Sequence, residues 1–133
     1  MMDDSSTEVE PKRRGVERLL FTLVNSGRAL LYLLRNEAAF QQELALACVL
    51  IPAAIFLPTT AVEFALLVGS VITVLIVEVL NTAIEVVINR IGLERNALSG
   101  LAKDLGSAAV TLALILWAVV WGSILSSYWI TGV

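Results

Sequence analysis

Glu78, Asn81 and Glu85 interrupt a long apolar run, and their spacing is that of a helix face. At about 100° per residue, positions i, i+3 and i+7 lie on one side, so the three side chains form a single polar ridge. A charged residue at the centre of a bilayer costs about 2.5–3.5 kcal/mol on insertion scales. Two carboxylates in such a run must therefore line a polar cavity or a protein interface. With a rise of about 1.5 Å per residue, Glu85 lies roughly 6 Å from the end of the run at Asn89, and Glu78 about 10 Å deeper. One carboxylate can meet a soluble anion or metal at the surface while the other meets a group held in the lipid.

Other candidates cluster towards the same side. Glu37 and Glu43 flank Ala38-Ala39-Phe40-Gln41-Gln42, where plain interfacial carboxylates are the ordinary reading. Glu63 is the exception, standing beside the turn at the opposite, external end of that run, where it can reach water. Lys103-Asp104 follows Arg90, Gly92, Glu94, Arg95, Asn96, Ser99 and Gly100, where basic residues also serve as orientation signals. Ala102, Gly106, Ala109 and Ala113 form a small-residue stripe whose default meaning is close helix packing, with Ser107 beside it. Together these residues suit phosphoryl transfer at a membrane surface. Two Glu can hold Mg²⁺ on polyphosphate oxygens, a Lys can neutralise developing phosphate charge, and a buried Glu can accept a proton from a lipid hydroxyl. By spacing alone, a proton relay and an ion site remain open beside a kinase.

These residues are carried by an unusually apolar chain. Its 133 residues are 58% hydrophobic and 16% charged, against about 45–50% and about 25% in an ordinary soluble domain. Mean hydropathy is +0.86, and the uncharged stretch from Leu105 to Val133 is long enough to cross a bilayer. Those numbers exclude a disordered chain, a nucleic-acid module and a secreted disulfide scaffold. With no histidine, imidazole bases and His-metal sites are unavailable, and the single cysteine, Cys48, supports neither an intrachain disulfide nor a thiolate zinc site. No GxxxxGK[ST] phosphate cradle occurs. The net charge of −3 matters less than where the charges stand.

The pattern predicts an all-α membrane protein with an amphipathic interfacial helix and three transmembrane helices. Residues 1–15 are polar and mixed in charge, the composition of a disordered cytoplasmic tail rather than a signal peptide. A single membrane domain then fills 16–133. From Val16 to about Arg35, Leu19, Leu20, Leu23, Val24, Leu30, Leu31 and Leu34 fall on one helical stripe, opposite Arg18, Thr22, Asn25 and Arg28. That is an interfacial helix, or else a helix packed on a partner. The spans cover about 39–57, with a kink expected at Pro52, then 61–88 and 102–130. All nine basic residues lie before the first span or between the second and third, which makes that side cytoplasmic and leaves the carboxyl terminus outside. Tyr128 and Trp129 suit the outer aromatic belt, whereas Trp117 and Trp121 lie deeper.

Three segments then carry a resemblance: Asn36-Glu37-Ala38-Ala39-Phe40 through Glu43; Val77-Glu78-Val79-Leu80-Asn81-Thr82-Ala83-Ile84-Glu85 through Arg90-Ile91-Gly92; and Ser99-Gly100-Leu101-Ala102-Lys103-Asp104-Leu105-Gly106-Ser107-Ala108-Ala109. In this order, over about residues 16–130, they strongly resemble the small bacterial diacylglycerol kinases. The resemblance implies a homotrimer in the bacterial cytoplasmic (inner) membrane that phosphorylates diacylglycerol to phosphatidic acid with MgATP, in active sites shared between subunits. By matching positions, Glu78 resembles the general base, and Glu37 and Glu85 the metal carboxylates, which also face ATP. Lys103 and Asp104 resemble nucleotide contacts, with Glu94, Arg95 and Asn96 in the neighbouring loop. Arg18, Asn25 and Ser26 fall where the family contacts nucleotide or lipid. Asn81 and Ser107 resemble polar supports of the substrate site, which Glu43, Phe56, Phe64 and Trp121 border. Asn89 stands where the family is expected to have Asp, and Gln41 replaces a basic residue.

An undecaprenol kinase shares this architecture, although Gly106-Ser107-Ala108-Ala109 favours the diacylglycerol form. A non-enzymatic assembly protein or proton relay is the reading from another class. Part of the case for an oligomer is physical: the Glu78–Asn81–Glu85 ridge and the Ala102–Ala113 stripe require two facing surfaces, which packing between subunits would supply.

Overall fold

The computed structural model describes residues 14–57 and 59–132; the expected tail at 1–15 falls outside them except at its last two positions. The described residues form four helices: α1 over Gly15–Asn36, α2 over Ala38–Phe56, α3 over Ala61–Ile91 and α4 over Ala97–Thr131. No strand occurs among the described residues. The chain divides after Tyr32 into two compact units. The first contains most of α1, whose Thr22 hydroxyl donates to the Arg18 carbonyl one turn earlier at 2.8 Å. The second holds the end of α1 and all of α2, α3 and α4.

Helices α2, α3 and α4 are each long and apolar enough to cross a membrane. At about 1.5 Å per residue, the 31 residues of α3 span about 47 Å and the 35 of α4 about 52 Å. Both exceed a hydrocarbon core of about 30 Å. The sequence reading ended the second span at Ile88 and began the third at Ala102. The structure carries α3 to Ile91 and begins α4 at Ala97, so residues 97–101 are the first turn of a helix rather than a loop. Helix α2 runs unbroken through Pro52.

Capping chemistry explains these boundaries. At the start of α3, the Thr60 hydroxyl accepts from the Glu63 amide at 3.2 Å while the Glu63 carboxylate accepts from the Thr60 amide at 2.8 Å. This reciprocal pair satisfies two of the first-turn amides that a helix leaves unbonded. Glu63 is therefore a capping group. At the start of α4, the Asn96 side chain accepts from the amides of Leu98 and Ser99 at 2.9 and 3.2 Å.

The core sits where α3 packs against both α2 and α4. Ala47 and Ala54 of α2 meet Leu67 and Val71 of α3 and Trp121 and Ile124 of α4. Small residues on α2 let its backbone come close, and Trp121 fills the space that remains. The Trp121 indole donates to the Leu67 carbonyl at 3.2 Å, which pairs its one polar group inside the apolar layer. Trp117 packs on the same cluster, which accounts for two tryptophans set deeper than an aromatic belt. Trp129 is exposed near the end of α4.

Candidate active site

On α3 the buried stripe runs Leu67, Val71, Val74, Glu78, Thr82, at helical spacing. Glu78 thus occupies the next core position after three apolar ones, and it is only 4% exposed. Its carboxylate makes no hydrogen bond among the described residues. The neighbouring charges are of its own sign: Glu85 and Glu37 act on Glu78, and Glu78 on Glu43. Glu43 points one oxygen, Oε2, into a sealed position with no hydrogen-bond partner among the described residues. It lines an apolar crevice of about 30 Å³ with Ala47, Val71, Val74 and Trp117.

One flank of the stripe extends the ridge towards the carboxyl end of α3. Asn81 is half-buried, and its Nδ2 donates to Glu85 Oε1 at 3.4 Å. Asn81 Oδ1 is sealed and without a hydrogen-bond partner. One turn beyond Glu85, Asn89 Oδ1 accepts from Lys103 Nζ at 3.3 Å. Residues 78, 81, 85 and 89 therefore make a polar track about 16 Å long by helical rise, and its outer end is tied to the start of α4. Asn89 stands at i+4 from Glu85, the spacing that puts both on one face of α3.

Around that outer end lies a cavity of about 450 Å³. Its wall includes Asn89, Glu94, Arg95, Asn96, Ser99 and Lys103, so both polar track and interhelix loop reach it. Glu94, Arg95, Asn96 and Lys103 are exposed there, and Asp104 is exposed next to Lys103 on α4 without lining the cavity. Asn96 has its side-chain oxygen engaged by the cap of α4. Ser99, Gly92 and Gly100 also line the cavity, and the sequence reading gave them no role.

The remaining candidates lie elsewhere. Phe64 is fourteen residues before Glu78 on α3, about 21 Å along the axis, and Phe56 is 86% exposed at the end of α2. Trp121 sits opposite Leu67 in the core. None of the three reaches the Glu78 carboxylate. Arg18, Asn25 and Ser26 belong to the first unit, on α1. Ser107 is exposed on α4, and its carbonyl accepts from the Thr111 hydroxyl at 3.0 Å.

One expectation is corrected. The ridge and the small-residue stripe do not await a second subunit to meet: Gly106 is buried against Asn81 of the same chain. Ala113 is buried as well, while Ala109 is exposed. The bare Gly106 lets α4 approach α3 closely enough to seal the Asn81 amide.

The donor set bears on a divalent cation. Among the described residues no three His, Cys, Asp or Glu gather as a ready metal cage. Glu37 and Glu85 are oxygen donors of the type Mg²⁺ takes, typically one or two carboxylates completed by substrate phosphates and water, and both act on Glu78; neither lines the polar cavity.

Three helices long and apolar enough to cross a membrane, with a buried carboxylate and a polar cavity, define an integral membrane protein. Comparison with known proteins makes the class specific. The family model for prokaryotic diacylglycerol kinase matches residues 24–125. A protein of Haemophilus influenzae named Diacylglycerol kinase is 46% identical over 114 residues, 86% of this chain and 97% of that relative. Its namesake in Escherichia coli K12 is 47% identical over 93 residues, 70% of this chain and 76% of the relative. The Pseudomonas aeruginosa one is 44% identical over 111 residues, 84% and 90%. The chain belongs to the prokaryotic diacylglycerol kinase family.

Proposed function

We propose that this diacylglycerol kinase transfers the γ-phosphoryl group of ATP to the free hydroxyl of diacylglycerol at the cytoplasmic face of the bacterial inner membrane, giving phosphatidic acid and ADP. The observation that carries the reading is the buried Glu78 carboxylate at the deep end of a polar track whose other end opens on a polar cavity. In this reading Glu78 takes the proton from the lipid hydroxyl as its oxygen attacks the γ-phosphorus. The bond to the β-γ bridging oxygen breaks and ADP leaves.

Glu37 and Glu85 would hold Mg²⁺, which supplies charge neutralisation on the polyphosphate. Lys103 places a cation beside the same oxygens and is steadied by Asn89. Asp104, Glu94, Arg95 and Asn96 border the nucleotide, and Asn96 does so while capping α4. Arg18, Asn25 and Ser26 present polar groups from an interfacial α1 to headgroup and nucleotide. The lipid lies along the helices: its hydroxyl is near Glu78, Glu43, Asn81 and Ser107, and its acyl chains extend towards Phe64, Phe56 and the α3–α4 seam that Trp121 holds closed. The active assembly is a homotrimer with sites shared between subunits, amino termini inside and carboxyl termini outside.

The test is lipid-dependent ATP turnover by the purified protein in mixed micelles. Glu78→Gln should abolish turnover while leaving assembly intact. Full turnover by this variant would remove Glu78 as the base, and turnover of a prenol in place of diacylglycerol would overturn the substrate.

A further inference from the structure

The contact between Gly106 and Asn81 does more than let two helices approach. An ideal Cβ on Gly106 would run into Asn81 Oδ1 and stand 3.3 Å from Asn81 Cγ. The amide oxygen therefore occupies the place a side chain would take. That oxygen is sealed and accepts no hydrogen bond among the described residues. A buried carbonyl without a donor gives up its hydration for nothing in return, so this orientation needs a cause. The amide nitrogen supplies one, since it is turned to Glu85 and donates to Oε1 at 3.4 Å. Rotating the carboxamide to hydrate its oxygen would withdraw the nitrogen from Glu85. Other glycines on these helices show no such restriction: Cβ atoms at Gly69, Gly100 and Gly122 would meet nothing within 4 Å.

We propose that Gly106 is a positioning residue for the cation site: its missing side chain seats the Asn81 carboxamide so that Nδ2 holds one oxygen of Glu85 and leaves the other for the metal. This rests on the reading of Glu85 as a metal carboxylate. The arrangement is the familiar one in which a ligating carboxylate is oriented by a hydrogen bond from behind, whose loss costs about 10–100-fold in metal affinity. Here the orienting group is itself held by an absence on the neighbouring helix.

The experiment measures Mn²⁺ binding by electron paramagnetic resonance on the intact protein in micelles with a non-hydrolysable ATP analogue, alongside the Mg²⁺ concentration giving half-maximal turnover. Gly106→Ala should weaken Mn²⁺ binding by about tenfold or more and raise the Mg²⁺ requirement, whereas Gly122→Ala should change neither. Asn81→Ala removes both the clash and the bond, so it should show the same weakening with its helices normally packed. In the double variant, Gly106→Ala should add nothing further, because the atom it strikes is gone. If Gly106→Ala alone fails to assemble, recovery of assembly in the double variant together with the Asn81→Ala binding defect supports the proposal. Additive losses in the double variant, or wild-type Mn²⁺ binding by a well-assembled Gly106→Ala, would overturn it. Glu85→Gln separates the two layers. Unchanged Mn²⁺ binding by Glu85→Gln removes the metal role and the inference with it, while its loss beside an unaffected Gly106→Ala removes the inference alone.

Discussion

The chemistry of this chain rests on individual polar residues held at positions that otherwise suit leucine or valine. Glu78 continues the stripe of Leu67, Val71 and Val74, so its burial follows from helix periodicity and needs no special fold. Removing a general base costs typically 10²–10⁴ in rate. Glu78→Gln should therefore lower kcat by at least two orders of magnitude in the lipid-dependent assay, and a loss below tenfold would assign the base elsewhere. Asn89 gives a second residue-scale prediction. Its oxygen holds Lys103 Nζ at 3.3 Å. Asn89→Asp retains an acceptor and turns the contact into an exposed ion pair of about 0.2–1 kcal/mol, so KM for ATP should stay within a few-fold. Asn89→Leu removes the acceptor and should raise KM more than it lowers kcat; equal KM values in the two variants would detach Asn89 from the nucleotide end. Glu78, Asn81 and Glu85 were legible in the sequence because charge in an apolar run is conspicuous. Asn89 was not, because a polar residue at a span's end is ordinary and its partner lies fourteen positions away.

At the scale of elements, the order of helices follows from hydropathy and spacing, and each of α3 and α4 extends beyond the span expected within it for a shared reason. A hydropathy reading finds where lipid-compatible composition stops, while a helix stops where its terminal amides and carbonyls find partners. Residues 97–101 look like a loop by polarity, yet Asn96 caps them into α4. Likewise Thr60-Ala61-Val62-Glu63 carries the capping-box spacing, so Glu63 serves as a cap as well as a carboxylate near water. The site's cross-helix contacts, Gly106 to Asn81 and Lys103 to Asn89, were not legible, because periodicity assigns a face without naming what it meets. Thr60→Ala should destabilise the protein by about 0.5–2 kcal/mol in a reversible unfolding titration. It lies eighteen residues from Glu78 on α3, about 27 Å by helical rise, so kcat and KM should be unchanged. Asn96→Ala removes a cap in the wall of the polar cavity, and if that cavity takes the nucleotide as proposed, the substitution should lower stability and raise KM for ATP together.

At the scale of the whole molecule, one chain packs little of its own helical surface. Within the most apolar windows of α2, α3 and α4, only 17%, 28% and 17% of residues are buried. Lipid satisfies apolar residues on the remainder, but it cannot satisfy Ser107, Ser123 or Ser126, which are exposed along α4. The hydroxyls of Ser126 and Thr111 turn back to their own helix, bonding the carbonyls of Ser123 and Ser107 at 2.9 and 3.0 Å. Ser107, one residue past the Gly106 contact, thus carries polarity outward from the face that meets α3. In the homotrimer proposed above, that outward face would lie against another copy. The deep end of a site would then draw Glu78 from one subunit while the cavity end draws Lys103 from its neighbour. Co-expressed Glu78→Gln and Lys103→Ala chains, each inactive alone, should then regain part of the wild-type turnover. Differential tags on the two chains show whether mixed trimers have formed. Mixed trimers with no recovered turnover would place Glu78 and Lys103 of each site on the same chain, and the cavity that borders Lys103 within a single subunit would then be the whole nucleotide site.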